Sequence, residues 1–198
     1  QEYESTGNDR PLKTTVNTDQ GEVYIPPHVS EVRAPEDLMA RAVDIGDRVV
    51  PTKVRFLLAS IDVQKNRFVV QVHGIVPADN GFDLVVIDRF DIRKSERYDQ
   101  DGERFLVNPG AYGEDWDLIT KKVLDKTYLT DEPVPRQMSI RAVFCDSGGR
   151  AGVTTNAYDY YRRLKQEGYG GRFWLIKGDG MKSAPRVRKS FPDSGRKD

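Results

Sequence analysis

The stretch "VRFLLASIDVQKNRFVVQVHGIV" (residues 54–76) decides the fold. Its first half is a nearly continuous apolar run, the pattern of a strand covered on both faces. Lys65, Asn66 and Arg67 make a polar turn. The second half alternates: Phe68, Val70, Val72 and Val76 fall on one side, Gln71 and His73 on the other. Period two is the signature of a strand, so the two halves form an antiparallel hairpin. One carboxylate, Asp62, interrupts the first half. An acid on an inner strand is costly unless it is paired or holds a metal.

Working outward, "PADNG" (77–81) is a second turn and "FDLVVIDRFDIR" (82–93) a third strand, which completes a meander. "RKSERYDQDGERFLVNPGAYG" (93–113) reads as a polar loop. "EDWDLITKKVLDKTYL" (114–129) reads as a helix, with Trp116, Ile119 and Val123 on one face and acids preceding lysines. "SIRAVFCDSGG" (139–149) is a short buried strand entering a glycine turn. "TTNAYDYYRRLKQEG" (154–168) is a second helix, with Thr154 or Thr155 as cap and Gly168 as stop. "GRFWLIKGDG" (171–180) is a fifth strand. The order β-β-β-α-β-α-β describes a mixed α/β domain: a meander, then two helical crossovers that return the chain parallel to the sheet.

The ends differ from this body. Residues 1–52 are rich in Pro, Thr, Asp and Glu and read as a linker or arm; only "APEDLMARAVDIG" (34–46) looks helical. Residues 181–198 read as a flexible basic tail containing Lys182, Arg186, Arg188 and Lys189. The chain starts Gln-Glu-Tyr without an initiator Met, which suggests a piece of something longer.

Bulk composition sets bounds. The 198 residues carry 31 basic and 31 acidic side chains, so overall charge does not argue for nucleic acid, though a local basic site still can. One cysteine, Cys145, excludes an internal disulfide and fits a reducing compartment. No apolar run approaches a membrane span, and no signal peptide opens the chain. With two histidines and one cysteine, a zinc site is not expected.

The chemistry concentrates on Asp62 and Asp146, each at or near the end of an inner apolar run. If their strands are parallel neighbours, the carboxylates sit side by side about 5 Å apart. Such a pair repels itself, and a hard divalent cation such as Mg²⁺ or Mn²⁺ relieves the repulsion. Two such ions about 4 Å apart cut phosphodiesters. An Arg partner or a helix cap accounts equally well for either acid alone. Asp88, Asp91 and Asp179 are further candidate acids, and alternation does not say whether Asp88 or Asp91 faces the site. Lys65, Arg67, Arg150 and Lys177 are candidate phosphate contacts, while Gly148 and Gly149 would allow close approach of a nucleic-acid backbone. For the charged residues a solvated turn, and for the glycines a tight strand-to-helix turn, is the plain alternative. His73 reads as structural and Cys145 as a small buried residue.

Taken in order, "LKTTVNTDQGE", "LLASIDVQKNR", "VVIDR", "FCDSGG" and "LIKG" resemble the large terminase subunit of tailed phages, closest to the lambda-type, GpA-like branch, from about Leu12 to Gly178. The resemblance implies the C-terminal nuclease domain: an RNase H-like five-stranded sheet of order 3-2-1-4-5 flanked by helices, over 53–180. It implies a linker at 1–52 following an absent ATPase domain. It also implies an endodeoxyribonuclease that cuts concatemeric double-stranded DNA by two-metal chemistry with Mg²⁺ or Mn²⁺. The small terminase subunit and the portal protein would be partners, and the host cytoplasm the location. Asp62 and Asp146 match the family's acids on the first and fourth strands. The family's third acid lies on a downstream helix that has no counterpart before Asp198, which leaves the third ligand unidentified. A non-catalytic DNA- or portal-docking module, or another RNase H-like nuclease such as a resolvase or recombinase, are the alternatives.

Overall fold

The computed structural model describes residues 13–19, 35–40, 42, 44, 46–178 and 187–189. The chain divides into two compact units, Gln1–Asp44 and Ile45–Asp198. In the first, the described residues form a helical turn at Thr15–Asp19 and a short helix α1 (Pro35–Met39), with Glu36 and Asp37 in its first turn. The helix expected over 34–46 is therefore much shorter.

Among the described residues, the second unit is built on a mixed sheet of seven strands rather than five. The meander is β2 (Phe56–Gln64), β3 (Arg67–Ala78) and β4 (Gly81–Ile92), antiparallel throughout. On its other side β2 pairs in parallel with β8 (Gln137–Asp146), and β8 pairs in parallel with β9 (Phe173–Ile176). Two additional short strands complete the sheet. β7 (Thr127–Thr130) is antiparallel to the start of β8, and β1 (Val49–Val50) is parallel to β7.

Three expectations are corrected here. The polar loop over 93–113 contains a separate two-stranded ribbon, β5 (Lys94–Tyr98) and β6 (Arg104–Leu106). Its anchor is Asp115, almost fully buried, which accepts hydrogen bonds from Ser95 Oγ (2.5 Å), Arg97 (3.1 Å) and the Asn108 backbone N–H (2.7 Å). The helix expected over 114–129 stops at Leu124, after a 3₁₀ turn (Gly113–Trp116), α2 (Asp117–Ile119) and a π turn (Thr120–Leu124). Beyond it the burial alternates as a strand should, with Tyr128 buried and Leu129 exposed. Helix α3 (Val153–Gln166) is capped by Gly152 in the left-handed region (φ 82°), not by a threonine; the Thr154 hydroxyl instead donates to the Ser147 carbonyl. Gly152 has a steric reason to lack a side chain, because a Cβ would lie 2.1 Å from the Gly110 carbonyl oxygen.

The fourth correction matters most for function. Over its carboxyl-terminal half strand β2 is covered on one face and exposed on the other. Leu57, Ala59 and Ile61 are buried, whereas Ser60, Asp62 and Gln64 are exposed. The covered face continues through Phe68, Val70 and Val143 and packs on both helical segments. An aromatic chain ties the layers: Phe68 meets Trp116 edge-on at 5.3 Å, Trp116 meets Tyr160, and Tyr160 meets Phe173 edge-on at 5.2 Å. Trp116 is fully buried and its indole N–H donates to the Pro109 carbonyl at 3.0 Å. Within this unit the 113–124 segment and α3 contribute to the core on the covered side, and the acids lie on the opposite, open face.

Candidate active site

The parallel register of β2 and β8 runs to Ile61 opposite Cys145, so Asp62 and Asp146 are the next neighbours along the two strands. Both lie on the open face, because Ile61 and Cys145 point into the core. The premise that Asp62 is a buried acid is thus corrected: its strand is inner, but the side chain is exposed. Asp146 is half-buried. Each carboxylate is held from one side. Gln64 Nε2 donates to Asp62 Oδ2 at 2.5 Å, and the Gly148 backbone N–H donates to Asp146 Oδ1 at 2.9 Å. Among the described residues neither acid has an ion-pair partner.

The loop after Asp146 is pinned on both sides. The Ser147 N–H and hydroxyl both donate to the Ile176 carbonyl of β9 at 3.0 Å, and Ser147 is buried. Gly148 follows, and a Cβ there would stand 3.3 Å from Asp146 Oδ1, so the missing side chain makes room for the carboxylate itself. Gly149 has φ 109° with open space where a side chain would be. Gly148, Gly149 and exposed Arg150 therefore sit at the carboxyl end of β8, exposed Lys177 at that of β9, and exposed Lys65 at that of β2. Parallel strands bring these ends together at one rim.

The remaining candidates separate. Asp88 pairs in register with buried Val72 and so faces the covered side. It accepts from Lys126 Nζ (2.8 Å) and Tyr128 Oη (2.9 Å), with Arg48 at 3.4 Å. Burial alone would raise its carboxyl, but these two hydrogen bonds and the charges of Lys126 and Arg48 win and hold it below the ordinary value. Burial and then Asp88 push the Tyr128 hydroxyl upward in turn. Asp88 is a structural ion-pair centre, and it does not join Asp62. Asp91 pairs with Val69, which pairs with Asp62, so Asp91 lies on the open face two strands away, within 3.6 Å of Arg67. Asp179, Lys182 and Arg186 lie outside the described residues. His73 stands on the open face beside Leu58, with its Nδ1 buried and without a hydrogen bond among the described residues. Cys145 is a free, fully buried thiol, raised well above its ordinary pKa first by burial and then by the charges of Asp146 and Asp62. Trp174, 41% exposed, pairs with Phe144 one rung below the acids.

The family model for the terminase large subunit gpA endonuclease domain matches residues 1–198. The chain belongs to this family. The gpA endonuclease domain is the nuclease module of a genome-packaging terminase, so the acid pair belongs to a chain of a hydrolase family that cuts nucleic acid. No curated protein matches the chain. In this gpA-family domain no helix among the described residues is long and apolar enough to cross a membrane.

Proposed function

We propose that the chain is the metal-dependent DNA endonuclease module of the packaging machinery, with an RNase H-like sheet, and that Asp62 and Asp146 hold Mg²⁺ or Mn²⁺. The observation that carries this reading is the register of β2 and β8. It makes two carboxylates neighbours on an open face, with no cationic partner among the described residues. Two hard oxygen donors side by side suit a divalent ion whose other positions are filled by water. Among the described residues no group of three or more His, Cys, Asp or Glu side chains gathers to hold a metal, so a second ion needs donors beyond this pair.

When bound, the cation supplies Lewis-acid stabilisation of the charge that develops on the phosphodiester oxygens during hydrolysis. The protein's own part is positional. Gln64 occupies Asp62 Oδ2 and the Gly148 N–H occupies one lone-pair direction of Asp146 Oδ1, which fixes the angle at which the remaining lone pairs point outward. Lys65, Arg150 and Lys177, at the same rim, provide positive charge for the flanking phosphates, and open space at Gly149 lets a backbone come close. Double-stranded DNA is the proposed substrate, with the small terminase subunit and portal as partners in packaging.

The test is nicking of a supercoiled plasmid in Mn²⁺. The parent chain should cut, chelation should stop it, and Asp146→Asn should be silent while melting as a folded protein. Cutting by Asp146→Asn at the parental rate would remove the assignment. A parent that binds DNA but neither cuts it nor takes up Mn²⁺ would favour a docking module.

A further inference from the structure

We propose that Arg67 and Arg93, gathered around Asp91 on the open face, and Arg89, one same-face position before it on β4, form a track that binds the phosphodiester backbone of the DNA beside the cut. The assignment rests on the nuclease reading above and extends its substrate site across β3 and β4.

The placement follows from register. Asp62, Val69 and Asp91 share one rung, and Ser60, Gln71 and Arg89 share the next, so Arg89 and Asp91 lie on the acid-bearing face. Arg67 opens β3 opposite Gln64 on the same side. Arg93 reaches Asp91 Oδ2 through both Nε (3.0 Å) and a terminal nitrogen (2.6 Å). The single carboxylate is shared, because Arg67 Nε also approaches that oxygen, at 3.6 Å. This is too long for a hydrogen bond. Arg67 Nε is buried and makes none among the described residues. The Arg67 side chain as a whole is 36% exposed, and a planar guanidinium is suited to a phosphate's oxygens. Arg89 is exposed and has no ion-pair partner among the described residues.

Three guanidinium charges against one carboxylate leave the cluster at +2, beside an acid pair at −2. Opposite signs on one face separate roles: the acids suit a cation and the arginines suit phosphates. Two strand spacings put the cluster about 10 Å from Asp62. That is about three steps of a DNA strand rising ~3.4 Å each, so a strand cut at the acids would present a nearby phosphate to the arginines.

The test measures binding of a short labelled duplex by fluorescence anisotropy in EDTA, between about 50 and about 200 mM salt. Each phosphate contact removed should lower the slope of log K against log salt by about 0.9. Arg89→Gln should therefore flatten it by about one such step and Arg89→Gln/Arg93→Gln by about two. Arg162→Gln, on α3 and paired with Asp159 at 2.7 Å, should leave it unchanged. Arg89→Lys should keep the slope. If the double variant keeps both parental slope and affinity, the cluster is an ion-pair network only and the proposal is overturned. A parent that binds no duplex overturns both readings. A parent whose binding depends on these arginines but that never cuts keeps the track and loses the nuclease.

Discussion

Asp62→Asn offers the sharpest separation of function from stability. Two carboxylates on adjacent parallel strands stand about 5 Å apart, which corresponds to ~3 kcal/mol of repulsion at an effective dielectric of ~20 and ~0.8 kcal/mol at ~80. Asp62 is exposed, so the lower figure governs. Asparagine removes one charge and still offers Gln64 a carbonyl oxygen to donate to. The variant should therefore be more stable than the parent without divalent ions, by about 1 kcal/mol. For a unit of roughly 150 residues that is an increase of about 2–4 °C in Tm. Adding Mn²⁺ should reverse the ranking, because binding stabilises the parent by about 1.4 kcal/mol at tenfold over its Kd. The variant, with one anionic ligand lost, should gain little. Cutting should fall by about 100-fold or more, the loss expected when several kcal/mol of transition-state stabilisation goes. Differential scanning fluorimetry with and without Mn²⁺, beside the plasmid assay, reads all three effects. A variant that melts no higher than the parent in EDTA, and gains as much from Mn²⁺, would refute the electrostatic reasoning, whatever happens to cutting.

Three other outcomes follow from the same geometry. Gly152→Ala forces a Cβ against the Gly110 carbonyl at a positive φ, so urea unfolding should show a loss of about 2–4 kcal/mol. For Asp88, a folded pKa held below the unfolded value gives stability that is present above about pH 4 and lost as pH falls through the lower folded value. Asp88→Asn should cost about 2 kcal/mol at neutral pH, and its acid unfolding should lack the part of the pH dependence that the parent shows below about pH 4. Cys145 should resist a thiol reagent such as dithionitrobenzoate at about pH 8 in the native protein and react fully once unfolded, since burial both blocks the sulfur and disfavours the thiolate. Rapid native labelling would show that the strand opens locally.

How far the sequence carries depends on the range of the interaction. The meander was readable because period-two alternation in Phe68, Val70 and Val72 is local, and so was the glycine turn after Asp146. The 127–130 strand was not, because the helical spacing of Trp116, Ile119 and Val123 runs on smoothly into it; what ends the helix is pairing with residues 137–139, a contact made across a turn. The ribbon in the polar 93–113 stretch depends on Asp115, a charged residue whose burial only makes sense beside Ser95 and Arg97. Arg89 and Arg93 carry no local signal, since nothing in "DRFDIR" says that a face is shared with Asp62.

By itself, the sequence determined that Asp62 and Asp146 end apolar runs flanked by turns, because strand pattern and turn chemistry are properties of neighbouring residues. Only the tertiary structure decided that those runs are parallel partners, that one face of β2 stays open, and that Asp88 is taken up by Lys126 and Tyr128 while Asp91 collects the arginines. Register and face are set by what packs where across the sheet, and that is a long-range balance of burial and pairing that no local pattern contains.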